Sequence, residues 1–326
     1  MRSLLRRVLG AFGLLWLVLS FTFLLVRLAP GDPAALLLPA TASAAEAARL
    51  RTELGLDQPL AVQYARWAGA VVRGDLGESL AQHRPVTALL AEAAPVSLFL
   101  GGSSLVLTFV LGTAVGMVQA ARRGRVLDRA LTVATTALYA APSFWLALGL
   151  VAVFTYGAAT WGFPAALRLP AFGMRDPASA GGAWPALPDL LRHAVLPVTV
   201  LTAVGASGIA RYARSATLDV TGAEFVRAAR AKGVGTARLY VCHVLPNAAT
   251  PLIVLLALSL PGVIAGSVFV ESVFAWPGMG RLMLTAILQR DYPVILGVTV
   301  VYAALVIGAN LAADLLLPLL DPRRRR

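Results

Sequence analysis

Six stretches of 18 or more residues carry no Asp, Glu, Lys or Arg: Val8–Val26, Ala93–Ala121, Ala130–Leu167, His193–Ala210, Leu239–Val270 and Tyr292–Ala313. As a helix, each is long enough to cross about 30 Å of hydrocarbon. No water reaches backbone N–H and C=O groups in a bilayer core, so a spanning segment must bond internally, which a helix does locally. Only 13% of the 326 residues are charged, about half the share usual in soluble domains. The expected fold is an all-α polytopic membrane protein with six transmembrane helices. Such a composition argues against a soluble enzyme.

The formal net charge of +12 admits two explanations, a polyanionic partner or membrane topology, and the positions of the charges decide between them. Six spans place both termini on one side. If the N-terminus, the loops after spans two and four and the C-terminal tail are cytoplasmic, that face holds 17 basic residues and four acidic ones, Asp128, Asp219, Glu224 and Asp321. The remaining segments hold 11 residues of each sign, and Asp314 lies at the inner end of span six. The whole excess therefore sits on one face, and no basic surface is left over for nucleic acid. Both termini are expected in the cytoplasm, with an extracytoplasmic segment between helices 1 and 2. Arg6, Arg7, an apolar run and Ala42-Ser43-Ala44 spell a signal peptide, yet the 19-residue run Val8–Val26 exceeds the roughly 7–15 residues of a signal's apolar core. A retained first helix is expected.

The segment Leu28 to Glu92 is too polar to cross a membrane and too patterned to be disordered. Ser43-Ala44-Ala45-Glu46 spells a capping box, so a short helix should begin there and stop near Gly55. Leu60, Tyr64, Trp67 and Val71 recur at helical spacing after Pro59, and Gly74 ends that run. These helices suit either an amphipathic cap on the membrane or bundle, or a docking surface for an extracytoplasmic partner. Pro164, Pro170, Pro177, Pro185 and Pro188 prevent a continuous helix from Gly162 to Pro188, leaving an ordered loop or a flexible connection. Between Glu271 and Pro293, Trp276-Pro277-Gly278-Met279-Gly280 forms a tight turn before a helix-like run, Arg281 to Leu288. That turn suits a re-entrant plug over a pathway or plain packing. The only cysteine, Cys242, falls on the inner side, so no disulfide forms within the chain.

Several chemistries lack their residues. A phosphate-binding loop needs lysine before Ser or Thr, but the single lysine, Lys232, precedes Gly233. His83, His193 and His243 are scattered, and Cys242-His243 has no second pair at metal-ligand spacing. Asp314 is the only carboxylate within the spans, and Asn310 stands one turn away to hydrogen-bond it. The chain is expected to be no enzyme, with no metal or cofactor of its own. A self-sufficient secondary transporter would need inverted repeats and intramembrane coupling charges, and neither is visible.

The most informative stretch is Gly222 to Asn247, in the loop after span four. Good helix formers run from Ala223 to Lys232, Gly233 and Gly235 reverse the chain, and a second helix enters span five. Ala228, Ala229 and Ala231 leave little bulk, while Arg227, Arg230 and Lys232 line the polar face. A short helix of this kind suits insertion into a groove on another protein; it is equally compatible with an ordinary basic loop.

This stretch resembles the cytoplasmic signature of ABC-importer permeases, Glu-Ala-Ala, three residues, Gly, nine residues, Ile, one residue, Leu-Pro. Arg227-Ala228-Ala229, Gly233, His243 and Leu245-Pro246 match its spacing throughout, with Arg in place of Glu and His in place of Ile. Those departures are similar to the branch importing dipeptides, oligopeptides and, in some members, nickel. Pro30-Gly31-Asp32-Pro33, Gly55-Leu56-Asp57-Gln58-Pro59, Gly74-Asp75-Leu76-Gly77, Glu271 with Phe274 and Trp276-Pro277-Gly278, Asp291-Tyr292-Pro293 and Leu320-Asp321-Pro322 look like the same branch. The resemblance implies a type I ABC-importer transmembrane domain in a prokaryotic inner membrane. Residues 1–92 would hold the first helix and the extracytoplasmic segment, 93–322 the five-helix permease core with coupling loop 211–247, and 323–326 a basic tail. It implies a half-channel for di- or oligopeptides, nickel or another small solute. Its partners would be a second homologous permease, two cytoplasmic ATPases that bind ATP and Mg, and an extracytoplasmic substrate-binding protein. Glu224, Arg227, Ala228, Ala229, Arg230, Ala231, Lys232 and Gly233 would form the ATPase-coupling helix and turn. Glu271 and Trp276 are candidates for an outer gate or binding-protein contact.

Overall fold

The computed structural model describes residues 2–28, 38, 43–53, 55–176, 186–265 and 267–320. Pro30–Pro33, Ala42, Pro177, Pro185 and the motif and tail from Asp321 onward lie outside the described residues, as does the Asp314 side chain and with it the expected bond from Asn310. Regular structure among the described residues is helical apart from one isolated bridge, Glu78 to Pro85. The helices are α1 Arg2–Leu28, α2 Ala44–Glu53, α3 Leu60–Val72, α4 Val86–Ala121, α5 Val126–Ala140, α6 Ser143–Val151, α7 Leu187–Thr221, α8 Glu224–Ala231, α9 Leu245–Ala265, α10 Val268–Val273, α11 Met279–Gln289 and α12 Tyr292–Leu320. Segments of π type prolong α6 over Ala152–Gly157 and lead into α9 over Leu239–Val244.

Six helical segments are long and apolar enough to span: Val8–Leu28, Val86–Ala121, Ser143–Thr160, Leu187–Thr221, Thr236–Leu260 and Tyr292–Leu311. The third differs from the expectation. Ala130–Leu167 is not one helix, because Ala141 and Pro142 are extended and separate α5 from α6. Proline removes a helical donor and disfavours helix at the residue before it. Spans two and four also outrun their charge-free stretches. At 36 and 35 residues they extend about 50 Å, so charged side chains at their ends reach beyond the hydrocarbon.

The chain divides into two compact units, residues 1–96 with 277–326, and residues 97–276. In the first unit the capping box forms as spelled: the Ser43 N–H donates to Glu46 Oε2 at 2.7 Å and the Glu46 N–H to Ser43 Oγ at 3.3 Å. Gly55 and Gly74, at φ +65° and +79°, end α2 and α3 by paired bonds back to the last turn, Leu56 N–H to Arg51 O (2.8 Å) and Asp75 N–H to Ala70 O (3.0 Å). α3 lies on α1: Trp67 stacks on Phe23 at 5.1 Å, and the Tyr64 and Ser20 hydroxyls meet at 2.5 Å. Asp291 is buried and accepts from Ser79 Oγ (2.5 Å) and from the Leu80 and Ala81 N–H groups (both 3.2 Å). The Asp57, Asp75 and Asp291 motifs thus build turns: Asp75 accepts the Gly77 N–H at 2.9 Å and Asp57 accepts from Thr52 Oγ1 at 3.2 Å.

The second unit is organised by a close crossing of α4 and α7. A Cβ on Gly116 would stand 2.5 Å from the Ala210 carbonyl oxygen, and one on Gly112 would stand 2.8 Å from that of Ala206. Gly112 and Gly116 are four residues apart, the small-xxx-small spacing that lets helix backbones touch. α5 is held to α7 by Asp128, which accepts from Arg214 Nε (3.0 Å) and Nη2 (2.9 Å) and from the Gly124 N–H (2.9 Å). The Arg211 guanidinium lies over the Tyr139 ring at 4.0 Å.

Gly116→Leu should prevent stable folding, whereas Gly102→Leu, where a Cβ meets nothing within 4 Å, should leave the melting temperature in detergent nearly unchanged. The Arg214 guanidinium, then the Gly124 N–H, hold the Asp128 carboxyl down to about 2. A depressed carboxylate stabilises the fold above its ordinary range, and the contribution fades as pH falls toward 2. Asp128→Asn should therefore lower stability at neutral pH, by on the order of 1 kcal/mol given the partly exposed Arg214, and remove part of the acid dependence of the melting temperature between pH 4 and 2.

Candidate functional site

The hairpin after α7 is assembled from a few local rules. Glu224 in the first turn of α8 and Arg230 in the last each suit the helix dipole. Gly233, at φ +79°, stops the helix through two bonds, its own N–H to Arg230 O (2.9 Å) and the Val234 N–H to Ala229 O (3.2 Å). A left-handed residue closed by that bond pair is a Schellman stop. No atom lies within 4 Å of a Cβ built on Gly233, so backbone conformation alone demands glycine there. The chain then reverses into Thr236–Arg238 and runs on toward α9.

Val226 anchors the hairpin. It is fully buried against Leu239 and Val244, with Val220, Ala223, Ala229, Val234 and Tyr240 around them. Anchoring through Val226 turns the opposite face outward: Glu224, Arg227, Ala228, Arg230, Ala231, Lys232 and Gly233 are exposed, while Ala229 is half-buried against the anchor. Phe225, 44% exposed, joins that outer face and was missed from the sequence. Its signal was legible, an aromatic residue on a polar helix next to a buried valine.

A second feature is a cavity of about 280 Å³ lined by residues of α4, α7, α9 and α10, among them Ser97, Ser104, Thr108, Gly205, Ser259 and Glu271. Its α4 residues, Ser97, Gly101, Ser104, Leu105 and Thr108, recur at helical spacing and form one stripe. The stripe continues through Phe109, Thr113 and Met117 to Arg122 along an apolar groove of about 920 Å³. Glu271 is buried at the cavity wall and accepts from Ser97 Oγ at 2.8 Å. Trp276 is fully buried and stacks parallel to Phe99 at 6.1 Å. Its backbone N–H donates to Glu271 O at 2.8 Å. Glu271 and Trp276 are thus joined through the α10 turn, with Trp276 in the packing role and Glu271 facing the cavity. Among the described residues no three His, Cys, Asp or Glu side chains gather to hold a metal ion.

Comparison with known proteins settles the class. Residues 112–326 match the family described as binding-protein-dependent transport system inner membrane component, and residues 1–101 match its N-terminal counterpart. The chain belongs to this family. It is an ABC-importer permease, a transport subunit with multiple membrane-crossing helices. A Brucella suis biovar 1 relative carrying a peptide-permease name is 39% identical over 99% of this chain and 98% of its own length. The Bacillus subtilis oligopeptide transport system permease protein AppB is 34% identical over 98% of each chain, and the Salmonella typhi glutathione transport system permease protein GsiC is 35% identical over 98% of each. A chain of the methionine ABC transporter MetNI, solved in an inward-facing conformation, aligns with a TM-score of 0.53 at 20% identity, over 72% of this permease and 97% of that chain. That likeness is one of fold.

In this permease, Val226→Asp would bury a carboxylate among Leu239 and Val244 without a partner. Amide exchange across residues 224–232 should then rise at least tenfold, while exchange in α4 and α7 stays at the wild-type rate.

Proposed function

We propose that the permease forms one half of the translocation pathway of an ATP-driven peptide importer in a prokaryotic inner membrane. Both termini lie in the cytoplasm, and residues 28–92 hold the extracytoplasmic segment. A second, homologous permease supplies the other half of the pathway. Two cytoplasmic ATPases bind ATP and Mg, and an extracytoplasmic binding protein delivers di- or oligopeptides. The peptide-permease names of relatives aligned over almost their full length support the substrate class. The excess of arginine at the proposed inner ends supports the orientation.

The observation that carries the mechanism is α8, a two-turn helix with an exposed face of small and basic side chains, pinned beneath by Val226 and closed by Gly233. Ala228 and Ala231 let a groove on the ATPase approach the backbone. Glu224, Arg227, Arg230 and Lys232 make its polar contacts, and Ala229 and Gly233 fix the turn. When ATP closes the ATPase pair, α8 moves with it. Because the Val226 anchor includes Leu239 and Val244 on the way into α9, that motion reaches the pathway as rigid-body rocking. The α4 stripe lines this permease's share of the route. The outer gate works through the Glu271–Trp276 turn, whose packing on Phe99 sets the position of α10 against α4.

Gly233→Leu forces a branched side chain into the left-handed region, at a cost of about 1–2 kcal/mol. In the assembled importer it should cut ATP-driven peptide uptake at least tenfold while leaving membrane insertion intact. Gly233→Asn, which tolerates that conformation, should keep a larger share. Wild-type uptake by Gly233→Leu would overturn the coupling role.

A further inference from the structure

Around its circumference α8 presents three different surfaces. Val226 is fully buried at its base, and helical positions three and four apart share a flank. Phe225 therefore stands on one flank of the outward face with Ala228, Ala229 and Lys232, and Arg227 stands on the other with Arg230 and Ala231. Phe225 is 44% exposed and is the one large apolar side chain exposed between Glu224 and Gly233. Among the described residues, no hydrogen bond, ion pair or ring contact engages the side chains of Glu224, Phe225, Arg227, Arg230 or Lys232. Arg214 and Arg211, near the end of α7, are by contrast already engaged, with Asp128 and with the Tyr139 ring.

The chemistry of that face selects its partner. Three basic side chains against one acidic would repel a second copy of the same face. Lipid is a poor match as well, because an interfacial helix buries a broad apolar face and here one phenylalanine stands among alanines and charges. What fits is a protein surface with an apolar pocket on one side and carboxylates on the other. The Val226 anchor and the stop at Gly233 hold α8 in place before any partner arrives, so seating it costs little conformational freedom. Aromatic and arginine side chains are also the ones that most often dominate the energy of an interface.

We infer that Phe225 is the anchoring side chain of this docking face, filling an apolar pocket in one wall of the ATPase groove, and that the facing wall carries the carboxylates that receive Arg227 and Arg230. This rests on the coupling role proposed for α8 and deepens it by assigning the chemistry of the surface that receives the helix. Ala228 and Ala231, between the two flanks, keep the crest low so that both walls close on the helix. Two unlike walls admit α8 in one orientation only: turned end for end, it would set its arginines on the apolar pocket and its phenylalanine among carboxylates. Val226, next to Phe225 in the chain, packs on Leu239 and Val244, so a push at the pocket reaches the way into α9 through a single residue.

The test titrates the purified ATPase against the permease pair held in lipid nanodiscs and follows association and dissociation. Phe225→Ala should weaken binding at least tenfold, mainly through faster dissociation, with amide exchange across residues 224–232 at the wild-type rate. Phe225→Leu, which keeps much of the apolar volume, should bind with intermediate affinity and serves if the alanine variant fails to assemble. Arg227→Gln combined with Arg230→Gln should slow association and flatten its dependence on ionic strength. Wild-type affinity in Phe225→Ala would overturn the proposal. So would weaker binding accompanied by raised amide exchange, which marks a structural role within the hairpin. A salt dependence unchanged in the double arginine variant would overturn the acidic wall. The coupling reading itself fails on a different result, an ATPase that does not bind the wild-type pair at all.

Discussion

The approach of α4 to α7 at Gly112 and Gly116 is the contact on which the rest of residues 97–276 depends. Between lipid-immersed helices there is no hydrophobic drive to associate, so close packing of small residues carries much of the attraction. At Gly116 the backbone of Arg214 itself lies within 2.8 Å of where a Cβ would be. That approach brings the Arg214 guanidinium to Asp128 and ties α5 into the same body. In the other direction along α4, Thr108 opposes Gly205, and there the cavity begins. One crossing therefore positions both the ion pair and the cavity wall.

Much of this architecture was legible in the sequence because it rests on local rules. The charge-free stretches located all six spans, the Ser43–Glu46 spelling formed its capping box, and Gly55, Gly74 and Gly233 each stop a helix in the left-handed conformation. The spacing Arg227-Ala228-Ala229 to Gly233 led to the right family. Within the third stretch a charge count does not register the break at Pro142, which is apolar but interrupts the helix before the span begins. Asp128 and Arg214 entered the topology argument only as opposite charges. They lie 86 residues apart, and no periodicity announces such a pair. The cavity was hidden for the same reason, being built from hydroxyls on α4 and α9 and a carboxylate on α10. The Gly112–Gly116 spacing, by contrast, is local and is present in the sequence.

The motifs shared along the chain divide into two kinds. Asp57 and Asp75 spend their carboxylates on donors in or beside their own turns, and Asp291 spends its own on the distant turn at Ser79, Leu80 and Ala81, so their role is to shape the chain. The residues of α8 do the opposite: apart from Val226 and the half-buried Ala229, their side chains point away from the protein. On the proposed function, those outward small and basic residues are what the ATPase meets. Glu271 belongs to neither kind, since its side chain is buried yet borders open space.

The central claim is that α8 seats in an ATPase on the cytoplasmic side. Site-specific photocrosslinking from Ala228, with the whole importer expressed in intact cells, tests it most directly. The account predicts a single adduct between the permease and an ABC ATPase, abolished when the ATPase is deleted. Adducts with the extracytoplasmic binding protein, or efficient crosslinking to lipid with the ATPase present, would contradict it.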